Sequence, residues 1–198
     1  MIKNKRKIID HYINFFKNEP TFVYTPQNEY ANKIILLLFP PCDKTNYWKL
    51  CSVGASNARA KKEEHSNPYN EYMMFISPDE NLEGDLKLRN WYSDILLSVA
   101  IFAYKKGESL FYGHDLKFNN TTDEMTAVMI LFPEIVKDIL FVRKKIWFKE
   151  IWFLQVMPIT DFEHKILLEN GFGVCEKLFY PDNEENTRPF AQKFRSFD

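Results

Sequence analysis

The chain has 198 residues, with 26 Lys or Arg against 27 Asp or Glu and a formal charge of −1. The first hundred residues hold 13 basic and 12 acidic side chains and the remainder 13 and 15, so there is no charged tail, and the balance argues against a dedicated nucleic-acid binder. Hydrophobic residues make up 45% of the chain, including 18 Phe, 10 Tyr and 4 Trp, which excludes disorder for most of its length and fits a single domain with short appendages.

Residues 3–17 are predicted to form a helix, with Ile9, Ile13 and Phe16 at helical spacing and Pro20 beyond its end. Asp10, His11 and Asn14 interrupt any apolar core after the basic first residues, so no secretory signal is expected. Residues 33–39 read as a buried strand bounded by Pro40 and Pro41, and residues 47–53 as a second strand paired with it. A polar loop over 54–68 leads to a third strand over 71–76 that Pro78 ends. The acidic turn at 79–85 has the opening of a calcium loop, but Asn90 stands where the bidentate glutamate is needed.

The strongest helical pattern runs over 91–104, where Trp91, Ile95, Val99 and Phe102 fall on one stripe. Lys105, Lys106 and Gly107 close it. Its apolar core is too short to span a bilayer. Residues 109–115 are expected to be extended and 119–123 to form a loop. Strands follow over 126–132, ended by Pro133, and over 151–157, ended by Pro158. Between them, Arg143 to Lys149 interleaves cations with Ile146, Trp147 and Phe148. That pattern suits single-stranded nucleic acid, but it reads first as a charged loop whose aromatics face the core. Thr160 and Glu163 have the spacing of a capping box, so a helix is expected over 161–170, terminated by Gly171. A short helix or strand over 174–179 precedes a polar tail.

This order predicts an α+β fold, a mixed β-sheet packed against helices. The expected organisation is an N-terminal helix over 1–20, the sheet domain over 21–180 and a C-terminal tail over 181–198. Cys42, Cys51 and Cys175 have no CxxC spacing, which suits a reducing, cytoplasmic setting.

The search for chemistry yields little. Ser56 lies in Gly54-Ala55-Ser56-Asn57-Ala58, where alanine replaces the second glycine of a nucleophile elbow. His11, His65, His114 and His164 show no metal-ligand spacing, and Gly171-Phe172-Gly173 lacks a third glycine and follows a helix, not a strand. No metal or cofactor is therefore expected. Ser56 is kept as a candidate binding residue, and two further polar features join it. His114 and Asp115 are adjacent, although neighbours on a strand point to opposite faces. Gln155 stands inside an apolar strand, where a buried amide needs partners.

The ordered segments resemble the Suppressor of Fused domain family. The most specific part is IWFLQVMPITDFEHKILLENG over 151–171, which resembles that family's late motif of apolar strand, Gln, Pro, Thr, helical Glu and Gly. Cys51-Ser52-Val53-Gly54-Ala55-Ser56 is similar to its strand-to-loop motif. Residues 71–78, 91–104, Gly113-His114 and residues 126–133 are similar to its acidic-aliphatic strand, central helix, glycine-histidine element and next strand.

The resemblance implies a protein-binding domain without enzymatic activity. Eukaryotic members bind and restrain transcription factors, whereas compact single-domain members are bacterial and are thought to act as immunity proteins against polymorphic toxins. The expectation is thus a cytosolic protein whose loops at 57–67, 81–87 and 119–123 contact a cognate toxin, with neither nucleic acid nor membrane as partner. A general peptide-binding or regulatory module that sequesters a partner protein is the alternative, and an enzyme built on His114 and Asp115 a third reading.

Overall fold

The apolar runs of the chain fold as the inner strands of one mixed sheet, seen in a computed structural model that describes residues 2–58, 60–61, 67–118, 125–181 and 188–193. The strands are β1 (Phe22–Tyr24), β2 (Ile35–Phe39), β3 (Trp48–Val53), β4 (Asn70–Ile76), β5 (Asp115–Lys117), β6 (Met125–Leu131), β7 (Arg143–Ile146) and β8 (Lys149–Thr160). The helices are α1 (Ile2–Phe16), α2 (Leu86–Ala100), α3 (Phe102–Lys106), α4 (Ile139–Val142), α5 (Asp161–Asn170) and α6 (Phe172–Glu176).

The strand order is β1-β2-β3-β4-β8-β6-β5, with β7 paired to the start of β8. Among the paired strands of the described residues, only β4 and β8 run parallel. β8 is the organising strand because its neighbours change along its length: Trp152 lies opposite both Arg143 of β7 and Asn70 of β4, whereas Gln155 lies opposite Met73 of β4 and Leu131 of β6.

Helices cover both faces, which is why the inner strands are mostly apolar on both sides. Side chains alternate between two layers. Leu50, Tyr72, Met74, Val128, Ile130, Leu154 and Val156 pack under α2 with Tyr92, Ile95, Leu96 and Val99. Their neighbours Cys51, Val53, Met73, Phe75 and Phe153 face the other way, onto Ile8, Tyr12 and Phe16 of α1. On that same face, Ala127, Met129, Leu131, Met157 and Ile159 pack with Leu167 of α5 and Cys175 of α6.

Several boundaries differ from the sequence reading. The central helix begins at Leu86, because the Asp85 carboxylate accepts a hydrogen bond from the Leu88 N–H as an N-cap. It breaks at Ile101, and α3 closes on Gly107 with φ of +73°. Residues 109–114 form no regular strand.

β8 does not stop at Pro158 but runs to Thr160. The backbone of Ile130 bonds to Gly113 and His114 on the β5 side, so Val128, two residues away, also turns its polar groups from β8. Pro158, opposite Val128, thus directs its nitrogen away from β6, beyond the end of the β4 ladder at Gln155, and its missing N–H breaks no bond of that ladder.

The segment 143–149 is also not a loop. It is a hairpin in which Ile146 pairs with Lys149 across Trp147 and Phe148. Only Ile146 is buried; Trp147 is 57% and Phe148 99% exposed, contrary to the expectation that its aromatics face the core.

The capping box at Thr160 and Glu163 forms as expected. Residues 59, 62–66, 119–124, 182–187 and 194–198 lie outside the described residues. They include all of the expected loop 119–123 and much of the loop 57–67 and of the tail.

Candidate functional site

The four residues singled out from the sequence fall into three networks. Ser56 belongs to the first. β3 ends at Val53, Gly54 turns the chain with φ of +113°, and a 3-10 turn over Ala55–Asn57 wraps the Glu71 side chain at the start of β4. One carboxylate oxygen of Glu71 accepts from the N–H of Gly54 (2.9 Å), the N–H of Ser56 (3.1 Å) and the Ser56 hydroxyl (2.6 Å). The other accepts from the Ser52 hydroxyl (2.7 Å) and the Ala55 N–H (3.2 Å). Burial pushes the Glu71 carboxyl above its ordinary value, against the opposing pull of these hydrogen bonds.

Glycine is required at 54, since a Cβ there would stand 2.1 Å from the Lys33 carbonyl oxygen. Tyr104 donates to the Gly54 carbonyl (2.7 Å) and Tyr12 to that of Ser52 (3.1 Å). Helices from both faces of the sheet thus lock the turn. Glu71 was not singled out from the sequence, although an acid opening an otherwise apolar strand is the signal that marks it.

Gln155 belongs to the second network. Its side chain is fully buried. The amide N–H donates to the Pro189 carbonyl (2.8 Å), and the amide oxygen accepts from the Tyr180 hydroxyl (2.6 Å). These bonds hold residues 188–193 beside the end of β4, where the Ala191 N–H donates to the Phe75 carbonyl (2.7 Å) and Ala191 bridges Ile76 in parallel.

The third network separates His114 from Asp115. The His114 ring accepts the Phe111 N–H through Nδ1 (3.2 Å), while the Asp115 carboxylate pairs with the buried His164 of α5 at 3.1 Å. A side-chain pair between the adjacent residues is not what forms; strand alternation sends Asp115 to α5. Among the described residues, no group of three or more His, Cys, Asp or Glu is placed to hold a metal ion.

The concave surface lies elsewhere. The segment from Phe132 to Val142, which leaves β6 and returns through α4, borders two adjoining cavities of about 350 and 440 Å³ that share Glu134 and Lys137. Tyr180, Pro189 and Phe190 wall the first and Trp152 the second, so the segment clasped by Gln155 forms one bank of the groove. Ile139 borders the second cavity and is 60% exposed, and the next residue, Leu140, is 75% exposed. Burial, and then the Glu176 carboxylate, push the Glu134 carboxyl up. The groove therefore presents apolar walls around a few polar groups, the general form of a binding pocket.

Residues 31–187 match the family described as Suppressor of fused protein (SUFU). No curated protein matches the chain. Solved structures share the fold, three of them as follows. The Sufu of a Sufu–Fu complex aligns with a TM-score of 0.68 at 13% identity, over 98% of this chain and 91% of that one. A homologue of Suppressor of Fused from Neisseria gonorrhoeae aligns with a TM-score of 0.65 at 13% identity, over the whole of both chains. Drosophila Suppressor of Fused aligns with a TM-score of 0.64 at 15% identity, over 95% of this chain and 49% of its own.

Proposed function

The chain belongs to the Suppressor of fused protein (SUFU) family, and on that premise we propose that it is a protein-binding domain acting as a cytosolic immunity protein that neutralises a cognate polymorphic toxin. The observation that carries the binding role is the apolar groove between residues 132–142 and the Gln155-clasped segment, bordered by the exposed Ile139 with the exposed Leu140 next to it in sequence. Exposed aliphatic side chains beside a cavity lined by Phe132, Pro133, Val136 and Trp152 suit a partner that seals the groove and removes this surface from water. The Sufu of the Sufu–Fu complex is a domain of this fold with a protein partner, and the same use is proposed here. Cys42 and Cys51 are free thiols, the state a reducing compartment maintains.

The test is calorimetry with the product of the gene adjacent to this one, followed by growth of cells expressing that product with and without this chain. Binding with rescue of growth, both weakened by Leu140→Asp, is the expected result. An adjacent product that neither binds nor harms the cell overturns the toxin reading.

One observation favours the alternative of a peptide-binding module. Residues 188–193 lie beside β4 as an added extended segment, held by main-chain bonds to Phe75 and by Gln155, which is how sheet domains take linear peptides. Enrichment of one short linear motif from an immobilised peptide library would support that reading over a folded partner.

A further inference from the structure

We propose that the tip of the β7–β8 hairpin, with the adjoining Lys7 of α1, is a docking surface for an anionic lipid bilayer. This goes beyond the protein-binding reading and does not depend on it. The two strands are joined by Trp147 and Phe148 alone. Trp147 has φ of +57° at the first position of a two-residue turn, where tight hairpins favour glycine or asparagine. A bulky side chain held there is strained. The fold gains little in return, since Phe148 is 99% and Trp147 57% exposed. A local rule is broken in order to hold two adjacent rings out of the protein, and such departures mark functional positions.

Cations stand directly behind the rings. Lys144 and Lys145 are exposed on β7 and alternate between its two sides. The Lys7 ammonium lies 4.2 Å from the centre of the Trp147 ring. Lys149 takes no part, because it turns back over Tyr69 and toward the Ser56 carbonyl. Glu150 lies opposite Lys145, and Asp10 lines the hollow between α1 and β7 with Lys7, Lys144 and Lys145, so three amines face two carboxylates, a small local excess in a chain of net charge −1. Rings outermost and amines two and three residues before Trp147 reproduce the depth order of a bilayer interface, with aromatic side chains at the acyl boundary and cations among the headgroups. A nucleic acid strand asks for free ring faces along a cationic groove, whereas here Lys7 lies over the Trp147 ring and the hollow that Trp147 and Phe148 border is lined besides by Asn4, Ile146 and the turned-back Lys149. A protein partner requires no such depth order.

The test sediments the full chain with vesicles of phosphatidylcholine alone and of phosphatidylcholine with phosphatidylserine at about 30%. The bound fraction is expected to be about tenfold higher on the anionic vesicles and to collapse in roughly 0.5 M salt. Trp147→Gly with Phe148→Ser relieves the positive φ and should keep or raise the melting temperature while lowering the bound fraction about tenfold. Lys144→Glu with Lys145→Glu should lower it similarly, and Phe162→Ser, at a ring 65% exposed on α5, should not. Failure of the wild-type chain to bind the anionic vesicles, or binding that the tip variant retains, overturns the proposal. So does tip-dependent binding confined to a single-stranded oligothymidine or to a protein partner.

Discussion

Ser56 meets Glu71 twice through one carboxylate oxygen, with its hydroxyl donating at 2.6 Å and its own N–H at 3.1 Å. Ser52 meets the other oxygen at 2.7 Å while accepting the Tyr72 N–H at 2.8 Å. Two serines and three backbone N–H groups thus bind a carboxylate that no water reaches, and they join the end of β3 to the start of β4.

Ser56→Ala should therefore cost about 1–3 kcal/mol of stability, the range for a buried charged acceptor that loses a donor. Ser52→Ala should cost at least as much, because it also strands the Tyr72 N–H. Glu71→Gln turns one acceptor into a donor facing donors and should be the worst of the three, on the order of 3 kcal/mol or more. Urea unfolding midpoints give the ranking, and a Glu71→Gln protein as stable as wild type would refute the clamp.

The same carboxylate sets a pH dependence. Its folded-state pKa lies above the ordinary 4.5 because burial outweighs the hydrogen bonds. Above pH 4.5 the folded chain therefore binds more protons than the unfolded one, so the contribution of Glu71 is fully present below that pH and is lost as the pH rises through the folded-state value. The stability of wild type relative to Glu71→Gln should fall as the pH is raised from 4.5 toward neutrality. A difference that is level from about pH 5.5 upward and shrinks only below about pH 4.5 would mean the donors win and the carboxyl is depressed.

Gly54 is the second constraint on the turn. At φ of +113°, a Cβ would meet the Lys33 carbonyl oxygen at 2.1 Å, a backbone atom that cannot swing aside. Gly54→Ala should destabilise by more than about 2 kcal/mol. Gly107 provides the control: its φ is +73° but nothing lies within 4 Å of a built Cβ, so Gly107→Ala should cost only about 1–2 kcal/mol. Equal losses in thermal unfolding would show that the Lys33 contact is not the cause.

Tyr180 and Gln155 together fasten residues 188–193. Tyr180→Phe leaves the buried Gln155 oxygen without its 2.6 Å donor, which should cost about 1–3 kcal/mol. The loss should be local, releasing the segment from Phe75 and opening one bank of the groove. Faster proteolytic cleavage after Arg188 in the variant, with the sheet core still protected from hydrogen exchange, is the expected signature. Uniform loss of protection would instead assign these bonds to global stability.

The legible parts of this chain are those decided locally. Thr160 and Glu163 specify a capping box whatever surrounds them, and the runs at Ile35–Phe39 and Met125–Leu131 are too apolar to be anything but inner strands. What the sequence hides depends on pairing partners far away. Pro158 reads as a stop until β4 is known to leave β8 at Gln155. Trp147 and Phe148 read as core until Ile146 is seen opposite Lys149, which makes them a turn. His114 and Asp115 look like a pair, but Asp115 takes its partner, His164, from 49 residues away. Gly54 and Ser56 are visible as a motif; the carboxylate they enclose is not.

Lys49 supplies a last test, independent of the turn. It is fully buried on β3, and its ammonium donates to the Pro40 carbonyl (2.6 Å), the Thr45 hydroxyl (2.7 Å) and the Thr45 carbonyl (3.3 Å). These acceptors are neutral oxygens, so burial prevails and lowers the pKa from 10.5 to about 8. Between those values the unfolded chain binds more protons than the folded one, so stability rises with pH across the window and is lost as pH falls through 8. Tyr47, Tyr72, Tyr104 and Tyr112 are pushed up to about 12, and they act in the opposite sense only once the unfolded tyrosines begin to titrate. Measured at pH 6 to roughly 9.5, below most of that titration, the stability of wild type relative to Lys49→Met should be flat up to about pH 7 and then climb, by at most about 1.4 kcal/mol per pH unit. A flat difference over the whole range would place the ammonium in an environment no drier than water, at odds with the cage of oxygens and rings around it.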